Sequence, residues 1–270
     1  MNFKTFAPPP VLQPYVKYFY VIEAGQGVDE AKSFRTIADG CPGIMFQKRD
    51  DGYFVQNDKQ LPSGFLFGQS TKHTDLYVKG AFNAIGVYLQ PNALRTIFGI
   101  NAELLTDSCL DLDLFSKKDI RFSETLDDAY DIADKIDIIS AYLIKKLDQN
   151  RAAEDVVLRH AVEKISASNG QLSLAALRND LRLSERTFER NFKQYVGISP
   201  KLFSRICCFQ ASLKQLNRSD FNKLSDIAYQ NNYADQSHFI RSFKQFSGFS
   251  PNQYQNKSTE IVENLSELIG

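Results

Sequence analysis

"FERNFKQYVGISPKLF" (residues 188–203) and "FIRSFKQFSGFSPNQY" (residues 239–254) are two versions of one segment, and eight of their sixteen positions carry the same residue. Each copy has two phenylalanines four positions apart, which places both rings on one side of a helix. Each also has a glycine that suits the left-handed end of a helix, followed by Ser-Pro. The sequence therefore predicts two similar amphipathic helices.

A short amphipathic segment precedes each of these helices: "SLAALRNDL" before the first and "KLSDIAYQNNY" before the second. Arg182–Leu183 and Asn231–Asn232 would form the turns, and Ser184 and Asp235 stand where N-caps belong. The run "SPKLFSRICCFQASLKQLN" predicts one long helix between the copies. The pattern indicates two helix-turn-helix units on one connector, the arrangement that inserts a second helix into the DNA major groove.

The charge is unevenly distributed although the formal net charge is zero. Residues 171–257 hold thirteen Lys and Arg against six Asp and Glu. A basic C-terminal third favours an anionic partner. Two alternatives to DNA binding exist. Phe-x-x-x-Phe stripes usually form part of a hydrophobic core, and repeated helical hairpins also build solenoids. Solenoids, however, generally need three or more repeats, and this chain has two.

The segments "LSERTFERNFKQYVGISPKLF" and "LSDIAYQNNYADQSHFIRSFKQFSGFSPNQY" resemble the double helix-turn-helix domain of AraC/XylS-type bacterial transcription regulators. The resemblance covers residues 155–257 and implies binding of double-stranded DNA, with RNA polymerase as a candidate further partner. It also implies an N-terminal sensor or dimerisation domain, expected to be cupin-like. We expect a multidomain α and β protein, divided into 1–150, 155–257 and a tail at 258–270.

The resemblance assigns the recognition helices to residues 184–195 and 235–246, with base contacts on their exposed N-terminal faces. The base-contact candidates are Arg186, Glu189 and Arg190 in the first helix and Gln236, Ser237, His238 and Arg241 in the second. Arg suits guanine, Gln suits adenine, and Glu can accept from cytosine. The alternative for each is a solvated surface residue, and for His238 a capping or packing role. Lys193, Lys244 and Arg182 are the phosphate-contact candidates.

Four residues depart from the family pattern: Arg178 replaces a small Ala, Arg182 a Gly, Cys208 a basic residue and Gln255 an Arg. The first unit is therefore expected to contribute less to base recognition than the second. The alternative is that Arg178 and Arg182 contact phosphates. The rival function is a protein-interaction adaptor whose helix-turn-helix units no longer bind DNA.

The N-terminal part is rich in short aromatic and β-branched runs broken by Gly, Pro, Asn and Asp, which predicts a sandwich or small barrel. "PNALRTIFG" predicts a brief helix ending at Gly99. Candidate lining residues for an effector pocket are Phe34, Arg35, Asp39, Phe46, His73 and Tyr88, although residues of these types are more often ordinary core or loop residues. The ligand itself is unknown at this stage.

A long amphipathic helix is predicted over residues 123–150, with Ser123 as its N-cap and an apolar seam through Tyr130, Ala133 and Leu143. We expect residues 124–147 to form a homodimer contact, or else to pack on their own β-domain.

No catalytic or metal site can be assembled from the sequence, because the three histidines are scattered and the four cysteines form no C-x-x-C pair. An enzyme is therefore not expected, nor a resident cofactor. There is no apolar run of membrane-spanning length and no signal-peptide pattern at the start. The cysteine usage favours a reduced, cytoplasmic setting.

Overall fold

The computed structural model describes residues 2–24, 32–48, 52–115 and 121–257, so the predicted tail at 258–270 lies outside it. The N-terminal domain contains two antiparallel sheets. The first has six strands in the order β1-β2-β9-β4-β7-β10. Their bounds are β1 Asn2–Phe6, β2 Val16–Ala24, β4 Gly43–Gln47, β7 Gly64–Phe67, β9 Phe82–Leu89 and β10 Cys109–Asp111.

The second sheet has four strands in the order β3-β8-β5-β6. They are β3 Lys32–Thr36, β5 Tyr53–Gln56, β6 Lys59–Gln60 and β8 Thr74–Lys79. Buried side chains from both sheets, including Tyr20, Met45, Phe54 and Leu76, form one apolar cluster. The β-rich prediction is confirmed, with a double-sheet arrangement.

The six-stranded sheet is covered on both faces, and its side chains alternate accordingly. On β2, Tyr20 and Ile22 join the cluster shared with the second sheet, whereas Phe19 and Val21 join a cluster with the helices. Those helices are α1 Ala93–Phe98, α3 Arg121–Asp127 and α4 Ile132–Gln149, and a short α2 spans Leu112–Phe115. α1 ends at Gly99, whose φ is 69°, as its sequence predicts.

The single helix predicted over residues 123–150 is wrong, because the structure divides it into α3 and α4. Asp131 caps α4 by accepting from the backbone N–H of Asp134 at 2.9 Å, so Ser123 lies within α3 and is not the cap. Tyr130 falls in the break and is 95% exposed. The buried part of the α4 seam, Ile139 and Leu143, packs on its own domain. The seam therefore no longer supports the predicted dimer contact at 124–147.

The C-terminal domain is helical throughout its described length apart from connecting turns. It contains α5 Val156–Ala167, α6 Leu174–Asp180, α7 Glu185–Val196, α8 Pro200–Asn217, α9 Leu224–Gln230, α10 Gln236–Ser247 and α11 Pro251–Lys257. One cluster of buried side chains runs through all of these helices except α11's polar end, and it also includes Ile37 and Ala38 of the N-terminal domain. The two domains therefore share part of one core.

A test of the sheet packing uses Gly86, which lies opposite Tyr20 on β2. A Cβ at position 86 would lie 2.0 Å from Cζ of the buried Tyr20. We predict that Gly86→Ala lowers the free energy of unfolding by about 1–3 kcal/mol, because the added methyl group would force the buried Tyr20 ring out of its packed position. Urea denaturation measures this loss.

Gly64→Ala on strand β7 of the same sheet is the matched control, since its Cβ would meet Phe46 at a looser 3.1 Å. Gly64→Ala should destabilise the protein less than Gly86→Ala does. Equal stability of the two variants would contradict the packing described.

Candidate DNA-binding surface

The first helix-turn-helix unit consists of α6, a turn at residues 181–184, and α7. Ser184 Oγ accepts from the backbone N–H of Thr187 at 3.2 Å and so caps α7. Arg182 occupies the left-handed region with φ 55°, the conformation that makes the turn tight. α7 ends at Gly197, whose φ is 105° and whose N–H donates to Lys193 O.

The second unit repeats this construction with different residues. Asp235 Oδ1 accepts from the backbone N–H of His238 at 2.7 Å and caps α10, while Asn232 supplies the left-handed turn residue with φ 59°. The neighbouring Asn231 is buried and donates to Gln215 Oε1 of α8 at 2.9 Å. α10 ends at Gly248, with φ 80°.

α8 holds the two recognition helices to one another through aromatic contacts. Phe203 near its start packs against Phe192 of α7, with ring centroids 5.8 Å apart. Further along, Phe209 packs against Phe243 and Phe246 of α10 at 5.2 and 5.3 Å. Since these rings are nearly inaccessible to solvent, α7, α8 and α10 form one packed body.

In the first recognition helix, Arg186, Glu189 and Arg190 are all exposed on α7, opposite the buried Phe188–Phe192 stripe. Arg190 Nε donates to Asn191 Oδ1 at 3.3 Å, a weak local contact between exposed neighbours. The structure thus brings the three predicted base-contact residues onto one accessible surface.

In the second recognition helix, Gln236, Ser237 and Arg241 are exposed, whereas His238 is half-buried. The His238 ring stacks edge-on against Tyr233 at 5.5 Å, and its Nδ1 accepts from the backbone N–H of Ala234 at 3.4 Å. This geometry matches the packing alternative for His238 better than base contact.

The phosphate-contact candidates differ in accessibility. Lys244 and Arg182 are exposed, and the repeat-equivalent Lys193 is half-buried. Arg178, one of the departures from the family pattern, forms an ion pair with Glu185 at 3.0 Å that links α6 to the first turn of α7. Its charge is therefore partly compensated within the protein.

The C-terminal ends of both recognition helices contact the N-terminal domain, which the sequence did not indicate. Thr106 Oγ1 donates to Gly197 O at 2.7 Å, at the end of α7. At the end of α10, His73 Nδ1 lies 3.5 Å from Gln245 O, and the Arg35 guanidinium lies 4.3 Å from the centroid of the Phe249 ring. The N-terminal halves of both helices are left accessible.

The buried Tyr195 hydroxyl joins the domains at a second point. It lies 3.2 Å from Thr96 Oγ1 and accepts from Asn92 Nδ2 at 3.5 Å, both of the N-terminal domain. Between α8 and α10, Ala38 O accepts from Gln210 Nε2 at 2.7 Å, and Ala38 N donates to Phe246 O at 3.3 Å. No local pattern in the sequence predicts these long-range pairs.

A cavity of about 80 Å³ lies among the two sheets, and Asp39 and Tyr88 line it together with Tyr20, Phe67 and Cys41. Burial raises the pKa of Asp39 and that of Tyr88, and the two side chains hydrogen-bond to one another. Of the other candidate lining residues, Phe46 belongs to the cluster on the helix side, and Arg35 and His73 contact the C-terminal domain. The side chain of Phe34 lies outside the described part of the structure.

Among the described residues, no group of three or more His, Cys, Asp and Glu side chains is placed to hold a metal ion. No helix in that part of the chain combines the length and apolar character needed to cross a bilayer.

Comparison with known families gives two matches. Residues 177–257 match a family described as "Helix-turn-helix domain", and residues 4–111 match a "Domain of unknown function (DUF6597)". A search of curated proteins found no match.

Among solved structures, the chain is similar to unsaturated fatty acid bound wild-type ToxT from Vibrio cholerae strain SCE256. The identity is 15% and the TM-score 0.47, with 91% of this chain and 98% of that chain covered. ToxT from Vibrio cholerae O395 gives 13% identity and a TM-score of 0.46, covering 90% and 99% of the two chains. The C-terminal domain of AraT, a response regulator from Geobacillus stearothermophilus, gives 24% and 0.36, covering 42% and 97%. At these identities and TM-scores, none of the three bears on function.

The family match over residues 177–257 coincides with the two helix-turn-helix units that α8 joins. The C-terminal domain of this chain is therefore a helix-turn-helix domain that contains two helix-turn-helix units.

Proposed function

We propose that the chain is a sequence-specific DNA-binding transcription regulator whose helices α7 and α10 enter successive major grooves of double-stranded DNA. The observation that carries the proposal is the pair of helix-turn-helix units fixed to α8, each with a polar, exposed start to its second helix. Successive major grooves on one face of a duplex lie about 34 Å apart, so two linked readers can use both.

The basic balance of residues 171–257 supports the same proposal. Phosphate contacts provide most of the non-specific affinity for DNA, and base-edge contacts provide the discrimination. Exposed Lys244 and Arg182 suit the first role, and exposed Arg186, Gln236 and Arg241 suit the second.

The proposal assigns sensing to the N-terminal domain, with a division of the chain at about residues 151–154 and a cytoplasmic setting. A small-molecule effector would enter the cavity lined by Asp39 and Tyr88. Such a molecule can shift the protein between two states only if it binds them with different affinities. A cupin-like sensor, a homodimer and a contact with RNA polymerase are finer parts of the same proposal.

The experiment that tests DNA binding is selection from a pool of genomic duplex fragments with the purified full-length protein, followed by gel shifts at two salt concentrations. The proposal expects enriched fragments with a shared sequence and an affinity that falls steeply with salt. If no fragment is enriched, the result would favour the alternative function, a protein-interaction adaptor that does not bind DNA.

The exposed arginine of α10 allows a sharper prediction. Arg241→Ala should cost roughly 1–3 kcal/mol of binding to the selected site and relax discrimination at one base pair. Lys244→Ala, one helical turn further along, should weaken binding to selected and random DNA alike and reduce the salt slope by about 1. Gel shifts of both variants on both DNAs measure these effects.

Arg190→Ala provides the matched comparison, since Arg190 and Arg241 occupy equivalent positions in the repeat. A smaller loss of binding free energy in Arg190→Ala than in Arg241→Ala would agree with weaker base recognition by the first unit. If Arg241→Ala and Lys244→Ala changed specific and random binding identically, the division between base and phosphate contacts would be wrong.

The turn residue Arg182 gives a second prediction. Arg182→Asn should leave stability within about 0.5 kcal/mol, because Asn tolerates the left-handed backbone and position 182 is exposed. DNA affinity should fall and the salt slope should decrease by about 1, because one cationic phosphate contact is lost.

Arg182→Lys is the control, since it keeps the charge at the same site. Unchanged DNA affinity in Arg182→Asn, with the protein still folded, would remove Arg182 from the phosphate contacts.

A further inference from the structure

The amine of Lys17 and the thiol of Cys41 are in unusually close contact. Lys17 Nζ lies 2.7 Å from Cys41 Sγ, and the two residues are 24 positions apart in the sequence. Cys41 is only 4% exposed, whereas Lys17, at the start of β2, is an exposed residue. Sulfur is a weak hydrogen-bond acceptor, so a lysine at the surface gains little by turning its amine onto a buried thiol.

The thiol is held in place by its own loop. The backbone N–H of Cys41 donates to Asp39 Oδ1 at 2.9 Å, and its Sγ lies 3.7 Å from Asp39 O. The Lys17 amine is near this carboxylate and is in direct contact with the sulfur. The two reactive atoms are therefore presented to each other in one geometry.

A small oxidant can reach the thiol. Cys41 lines the cavity of about 80 Å³, which has space for water-sized molecules. Peroxides are of this size, and they oxidise cysteine through its thiolate.

We propose that Lys17 and Cys41 are a covalent modification site, at which a peroxide joins Nζ and Sγ through one bridging oxygen atom. With an oxygen between them, nitrogen and sulfur stay close to their observed separation. A direct S–N bond would require them to move much closer together.

The reaction balances with two molecules of hydrogen peroxide. In the first step the Cys41 thiolate attacks one peroxide oxygen, the O–O bond breaks, and after protonation a sulfenic acid and one water result. In the second step the neutral Lys17 amine forms the N–O bond. A second peroxide takes up the sulfenic hydrogen, one amine hydrogen and two electrons, and is reduced to two waters. A thiol reductant reverses the bridge by returning electrons to sulfur and nitrogen.

The pH dependence follows from the surroundings of the thiol. Burial raises the pKa of Cys41 to about 11, although the neighbouring Lys17 ammonium opposes the shift, and Asp39 adds to it. The contact with Cys41 raises the pKa of Lys17. Both the thiolate and the neutral amine become more abundant as the pH rises, so the cross-link should form slowly at neutral pH and faster in alkaline buffer.

The site borders the contact between the two domains. Gly40, directly before Cys41, packs on Phe203 of α8, with 3.3 Å between a built Cβ and the ring. Ala38 exchanges hydrogen bonds with Gln210 of α8 and Phe246 of α10. A covalent bridge from Lys17 to Cys41 would link the segment 38–41 to β2 and restrict the movement of that segment.

The test treats the full-length protein with hydrogen peroxide at neutral and at alkaline pH, digests it with trypsin without reduction, and analyses the peptides by mass spectrometry. We expect a linked pair of peptides containing Lys17 and Cys41, heavier by one oxygen and lighter by two hydrogens. Cleavage after Lys17 should be lost, and a thiol reductant should restore it. Hydrogen exchange of the Ala38 amide should slow in the oxidised protein.

Lys17→Arg keeps the positive charge but removes the primary amine, so it should abolish the linked pair. Cys109→Ser, at a cysteine that lines the same cavity but whose thiol faces Gln56, should leave it intact. Melting temperatures verify that each variant is folded. The proposal is overturned if Cys41 is recovered as sulfinic or sulfonic acid with Lys17 cleaved normally. Cys207 of α8 interacts electrostatically with both Lys17 and Cys41. A Cys41–Cys207 disulfide, or a linked pair lacking the oxygen, would also overturn the proposal.

Discussion

Each recognition helix ends at a left-handed glycine, and each of these ends is held by the N-terminal domain. Gly197 packs on the Thr106 loop and Gly248 on Arg35 and His73. A side chain at either glycine would be strained by its backbone and crowded by its neighbours. The repeated Gly-x-Ser-Pro therefore does more than terminate two helices, because it also provides two equivalent docking points for the other domain.

This double attachment, together with the aromatic contacts of α8, fixes the angle and separation of α7 and α10. The segment around Ala38 and the cavity beside it lie at the same boundary. A molecule in the cavity, or a covalent change at Cys41, would therefore act on groups that contact α8 and α10 directly. Packed cores tend to have discrete arrangements, so a local change there can be transmitted as a change in docking.

Local signals in the sequence were sufficient for the helix-turn-helix units. Ser184, Asp235, Gly197 and Gly248 are caps that act within a few residues, and the structure places all four at helix ends. The break between α3 and α4 could not be foreseen, because the apolar spacing continues through Tyr130 and both Ser123 and Asp131 suit an N-cap. The role of His238 depends on the Tyr233 ring, and the hydrogen bonds between the domains join residues 91 or more positions apart. Contacts between such distant residues produce no periodic pattern in the sequence.

The central claim is that one rigid body presents two readers to one face of DNA, and hydroxyl-radical footprinting on a selected duplex tests it most directly. The account predicts two protected tracts on the same face, with centres separated by one helical turn of about 10 base pairs, at the same spacing in every selected site. A single protected tract, or two tracts whose spacing varies between sites, would contradict it.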